Sequence, residues 1–141
     1  MENKIFNKEK GNKSFIVGSL KLNKFNKFGR LYDTGANNTV VMLNMERATA
    51  CESKEFYEYM SKLIEKNESR IILDMESIYF MDSVFFGTLI KLLKQVTKMG
   101  GYLKLIVDYN SKPELLSISS FEKIFEVYPN LFEAVNNTKA S

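Results

Sequence analysis

Between Arg70 and Val107 the chain sets a strand, a helix and a second strand in succession, and this alternation constrains the fold more than any other feature. Ile71-Ile72-Leu73, inside Arg70–Met75, is the apolar run of a strand buried at the centre of a sheet. After a short loop, Asp82-Ser83 opens a helix. Phe86, Leu89, Ile90, Leu93 and Val96 recur at helical spacing and are expected to face inward, with Lys91, Lys94, Gln95 and Lys98 on the wet side. Gly100-Gly101 ends the helix, because glycine accepts the left-handed conformation found at helix C-termini. Tyr102–Val107 is the next strand.

The flanking sequence extends the pattern. Arg30–Thr34 and Thr39–Met45 read as two strands joined by Gly35-Ala36-Asn37-Asn38, residues that tolerate the positive φ of tight turns. A helix is expected over Ser53–Lys66, capped by Ser53, with Phe56, Met60, Leu63 and Ile64 on its inner face. Pro113–Ser119 can begin a short helix, Phe125–Tyr128 a short strand, and Asn130–Val135 a last helix. Strands alternating with helices imply an α/β fold, and the early hairpin makes its sheet mixed. The domain is expected over residues 29–141, behind a polar arm of residues 1–28 in which Ser14–Leu22 carries a weak strand pattern.

Composition narrows the function. Residues 1–28 hold seven Lys against Glu2 and Glu9, whereas the remainder is slightly acidic, so the overall charge of +3 comes from the arm. Basic runs attract polyanions, but this one has no Arg and no RNA-binding signature, so direct nucleic-acid binding is not expected. No apolar stretch approaches the roughly 18 residues of a membrane span, and no signal-peptide pattern follows the basic start, so a cytoplasmic protein without a membrane role is expected. The chain has no His, which removes the usual neutral-pH base and the commonest zinc ligand. Its single Cys51 excludes an internal disulfide and reads as an ordinary side chain. Asp74, Asp82 and Asp108 lie near strand ends where α/β ligand sites form, yet no phosphate-binding loop and no nucleophile with a base beside it accompany them. An enzyme, a metal site and a cofactor are therefore not expected.

The chemistry concentrates at Asp82-Ser83. Asp82 suits the N-cap, its carboxylate accepting an amide N–H of the first turn, and Ser83 then takes the first helical position with its hydroxyl near the surface. A phosphate there adds about −1.5 to −2 charges and three acceptor oxygens. Free amides at a helix start tolerate such a group, so the surface changes while the fold persists. Asp-Ser is also a common way to begin a helix, and plain capping is the alternative reading of the pair.

The ordered set Ile71-Ile72-Leu73-Asp74-Met75, Phe80-Met81-Asp82-Ser83, Gly87, Gly100-Gly101-Tyr102-Leu103-Lys104-Leu105-Ile106 and Ser120–Phe125 resembles the STAS family, shared by anti-sigma factor antagonists and sulfate transporter tails. The likeness runs from about Gly29 to Val135 and implies a mixed β-sheet packed with α-helices. It implies an anti-sigma factor antagonist that binds an anti-sigma factor serine kinase, is switched off by phosphorylation at Ser83, and is reset by a serine phosphatase. Asp82 and Gly87 would support the switch. The sequence differs from the common pattern in placing Val84 and Phe85 after the serine, and in lacking a glycine at Met45-Glu46-Arg47-Ala48. The expected contact surface comprises the Ser77–Ser83 loop, the exposed face of the following helix and the Glu46–Ala50 segment. Met81, Val84, Phe85, Glu46 and Arg47 are its candidate contacts, although Val84 and Phe85 would equally suit the domain's own core. The alternative within the family is a scaffold subunit of a signalling or lipid-transport complex that is never phosphorylated.

Overall fold

The computed structural model describes residues 27–33, 37–108 and 121–136. The hairpin forms as its turn residues require: β1 (Phe28–Asp33) pairs antiparallel with β2 (Asn38–Leu43), and Asn37 takes φ 61° in the turn. Next come the short β3 (Arg47–Ala48), α1 (Ala50–Glu65), β4 (Arg70–Asp74), β5 (Phe80–Met81), α2 (Ser83–Lys98) and β6 (Tyr102–Ile106). The described chain ends with α3 (Phe121–Ile124), β7 (Glu126–Tyr128) and α4 (Leu131–Asn136). The main sheet runs in the order β1-β2-β4-β6-β7, and every pairing after the hairpin is parallel. β3 and β5 form a separate two-stranded parallel sheet. The mixed sheet expected from the alternating pattern is present.

Strand periodicity divides the core. Val41, Leu43, Ile71, Leu73, Leu103 and Leu105 face the layer made by α1 and α2, where they meet Phe56, Met60, Leu63, Phe85, Leu89, Leu92 and Val96. Val40, Ile72 and Ile106 point the other way, under Ala134 and Val135 of α4. Lys104 is buried on that second face. Its ammonium donates to the Ala134 carbonyl at 2.9 Å and lies against the rings of Tyr102 and Tyr128, so the charge is hydrogen-bonded as burial demands.

Several boundaries differ from expectation for local reasons. α1 starts at Ala50, three residues before the expected Ser53, because Thr49 and Glu52 form a capping box. The Thr49 N–H donates to the Glu52 carboxylate at 2.8 Å, while the Thr49 hydroxyl accepts from the Cys51 N–H at 3.2 Å. Ser53 sits inside the helix and returns its hydroxyl to the Thr49 carbonyl. In α2 the buried stripe is Phe85, Phe86, Leu89, Leu92 and Val96, with Ile90 and Leu93 only partly covered, so the helix is rotated from the expected face. Phe28, assigned to the arm, instead belongs to β1 and stacks on Tyr59 with centroids 4.7 Å apart. The sequence pattern did not reveal β3, β5 or α3, which are too short to show a period. The expected strand at Ser14–Leu22 and helix at Pro113–Ser119 fall outside the described residues.

The double glycine has two different tasks. Gly100 takes φ 84° beyond the end of α2, while Gly101 lies so close to β4's entry that a Cβ there would fall 1.9 Å from the Ser69 carbonyl oxygen.

Candidate functional site

α1 and α2 begin side by side, and one carboxylate serves both starts. Asp82 has extended backbone (φ −98°, ψ 175°), as an N-cap requires, and its Oδ1 accepts from the Phe85 N–H at 3.0 Å. Its Oδ2 accepts from the N–H of Ala50, the first residue of α1, at 2.9 Å. The Asp82 N–H in turn donates to the Ala48 carbonyl at 3.0 Å. The Phe85 N–H is the main cause holding the Asp82 carboxyl below its ordinary value; partial burial opposes the shift, and the Ala50 and Val84 amides and the charge of Arg47 add to it. Asp82 is thus an anion at neutral pH, fixed from two helices.

The β3–β5 pair places the Glu46–Ala50 segment beside this cap. Arg47 pairs with Phe80 and Ala48 with Met81, and the Tyr79 N–H donates to the Glu46 carbonyl at 2.9 Å. Ala48 and Met81 turn inward, whereas Arg47 and Phe80 turn outward, the guanidinium lying 4.4 Å from the ring centroid.

Ser83 is exposed at the first position of α2, where the sequence places it. Glu46, Arg47 and Val84 are exposed nearby, Val84 at 51% of its full area. Met81 departs from the expectation of a surface contact, while Phe85 takes the core position that the sequence offered as its other reading. Met81 is the inward residue of β5, and Phe85, fully buried, stacks on Phe56 with centroids 4.8 Å apart. The N-cap geometry decides this split: two residues after Ser83 the helix has already turned toward the sheet. Tyr79 and Phe80 add exposed aromatic area that was expected only as part of a loop. The signal for Phe80 was its alternation with Met81, hidden by the two-residue length of β5. Gly87 is exposed, and a Cβ there meets nothing within 4 Å, so packing does not require glycine at this position.

Of the carboxylates of the enzyme alternative, Asp74 accepts from the Glu76 N–H at 3.0 Å and Asp82 is held by amides. Among the described residues no cluster of three or more Asp, Glu, His or Cys could hold a metal. Among them, too, no helix is long and apolar enough to cross a membrane.

Known proteins resemble this arrangement. A Thermotoga neapolitana protein provisionally named an anti-sigma factor antagonist is 26% identical over 97 residues, covering 69% of this chain and 82% of its own. An anti-sigma factor antagonist domain protein from Planctomyces limnophilus superposes with a TM-score of 0.65 at 17% identity, over 77% of this chain and 94% of its own. The unphosphorylated form of the antagonist SpoIIAA gives 0.59 at 18% identity, over 77% and 93%. The family model of the STAS domain matches residues 33–134, from the end of β1 into α4, and with the mixed sheet and the capped start of α2 it places this chain in the STAS domain family.

Proposed function

We propose that this protein is an anti-sigma factor antagonist that binds an anti-sigma factor with serine kinase activity through the surface around Ser83, and that phosphorylation of Ser83 releases it. The observation that carries the reading is an exposed serine hydroxyl at the first position of α2, beside a fixed carboxylate and an exposed Tyr79, Phe80 and Val84. Unmodified, that patch offers apolar area with Glu46 and Arg47 at its edge, a composition suited to docking a protein. In the transfer, the Ser83 oxygen bonds to the γ-phosphorus of ATP as the bond to the ADP oxygen breaks, and the hydroxyl proton passes to the kinase. The product places a dianion beside Asp82, and the two desolvate poorly against any partner surface that fitted the neutral serine. A serine phosphatase resets the state by hydrolysis, releasing inorganic phosphate. The likeness to SpoIIAA, which has been solved in both unphosphorylated and phosphorylated forms, supports this reading.

The test uses Ser83→Ala and Ser83→Asp proteins as baits in lysate of the native cell, with mass spectrometry of the captured proteins and phosphosite mapping of the wild-type chain. The expected outcome is capture of an ATP-binding serine kinase by the Ala form, its absence from the Asp form, and phosphate at Ser83. Equal capture by both forms rejects the switch and favours a constitutive STAS scaffold, in which Ser83 only begins the helix.

A further inference from the structure

We propose that Arg47 is the residue of this chain that holds the phosphate on Ser83, leaving the Phe80 ring to do so; the inference rests on the reading of Ser83 as phosphoacceptor. A helix start ordinarily offers free amides to an anion. Here the amides of Phe85 and Phe86, and that of Ala50 beside them, are taken. Asp82 receives the Phe85 and Ala50 amides at 3.0 and 2.9 Å and interacts with that of Val84, while the Phe86 N–H is spent on the Asp82 carbonyl. A phosphate on Ser83 would compete for these donors with a carboxylate bonded to two helices, so a nearby cation is the better partner.

Among the described residues, the ionisable groups that the β3–β5 pairing and the Asp82 hydrogen bonds bring to this corner are Asp82 itself, Glu46 and Arg47 from the β3 segment, Cys51 and Glu52 from the first turn of α1, and Tyr79 ahead of β5. Arg47 alone among them is a cation, with Lys54 a turn further along α1. The Arg47 guanidinium is exposed and engages the Phe80 ring at 4.4 Å. It makes no ion pair among the described residues, so its N–H fork is open to an oxyanion. Its charge already reaches Asp82, the neighbour of Ser83. An exposed cation–π contact is weaker than a forked, charge-assisted bond to phosphate, so the exchange of partners is favourable. Phosphorylation then changes the docking surface twice, by adding charge at Ser83 and by removing the guanidinium from Phe80.

The experiment installs phosphoserine at position 83 during translation and follows its second ionisation by phosphorus NMR across pH, in the otherwise wild-type chain and in R47Q and K54Q. Arg47 favours the dianion, so R47Q is expected to raise the midpoint by about half a unit, while K54Q leaves it in place. In the otherwise wild-type chain the Arg47 Nε–H resonance is expected to move on phosphorylation. A wild-type midpoint in R47Q, the same displacement in K54Q, or an Arg47 resonance indifferent to the phosphate overturns the assignment. No kinase enters this measurement, so its failure leaves the capture experiment intact, and failure of the capture experiment leaves this readout intact.

Discussion

Replacing Asp82 with alanine removes the N-cap of the sixteen-residue α2 and the acceptor of the first amide of α1, whose Thr49–Glu52 capping box remains, so the Phe85 and Ala50 amides lose their partner together. The N-cap contributes about 1 kcal/mol and the Ala50 hydrogen bond about 1 kcal/mol more, so the pair is worth about 2 kcal/mol, and partial exposure argues against a larger figure. For a chain of this size the loss lowers the melting temperature by roughly 5–8 °C. Ser83→Ala, which touches neither bond, should change stability by less than about 0.5 kcal/mol. Asp82→Asn keeps one acceptor oxygen and should lose about half as much as Asp82→Ala. Because the Asp82 carboxyl is held below its ordinary value, chiefly by the Phe85 amide, the unfolded chain binds its proton more tightly than the folded one. Its contribution is therefore complete above the unfolded value near ~4 and is lost as pH falls through the folded value. Urea unfolding of wild type, Asp82→Asn and Asp82→Ala at neutral pH and in acid reads both effects. The Glu52 carboxyl is also lowered: burial opposes the shift, and hydrogen bonds from Thr49 outweigh it. Glu52 is present in all three proteins, so differences between them isolate Asp82. A loss below about 0.5 kcal/mol in Asp82→Ala, or a wild-type advantage over Asp82→Asn that does not shrink in acid, refutes the shared cap.

Two further substitutions test where the core ends and the surface begins. Phe85→Ala vacates a fully buried site against Phe56 and should cost about 3–5 kcal/mol in urea unfolding, whereas a surface phenylalanine would cost almost nothing. Gly101→Ala drives a methyl into the Ser69 backbone and should cost about 1–3 kcal/mol by thermal unfolding, while alanine at Gly87 has open space around its Cβ.

The sequence by itself determined the order of the long elements, because each carries enough residues to display its period. Ile71-Ile72-Leu73 read as a buried strand and is one, Asp82 was placed to cap and did so, and Gly100-Gly101 marked the end of α2. The same local chemistry put Ser83 on the surface. Short elements were not legible: two residues of β3 or β5 show no alternation, and α3 is a single turn. The face of α2 was also misjudged, since Phe85, Phe86, Leu89, Ile90, Leu92 and Leu93 are apolar around most of the helix, and only packing against α1 and the sheet selects which of them is covered. For the same reason Phe85 and Val84, adjacent and both apolar, parted to opposite environments. Tertiary structure alone brought Ala50 to Asp82 and Arg47 to Phe80, contacts between residues more than thirty positions apart. Periodicity reports what each residue does within its own helix or strand, whereas a site shared by two helix starts depends on how those elements meet.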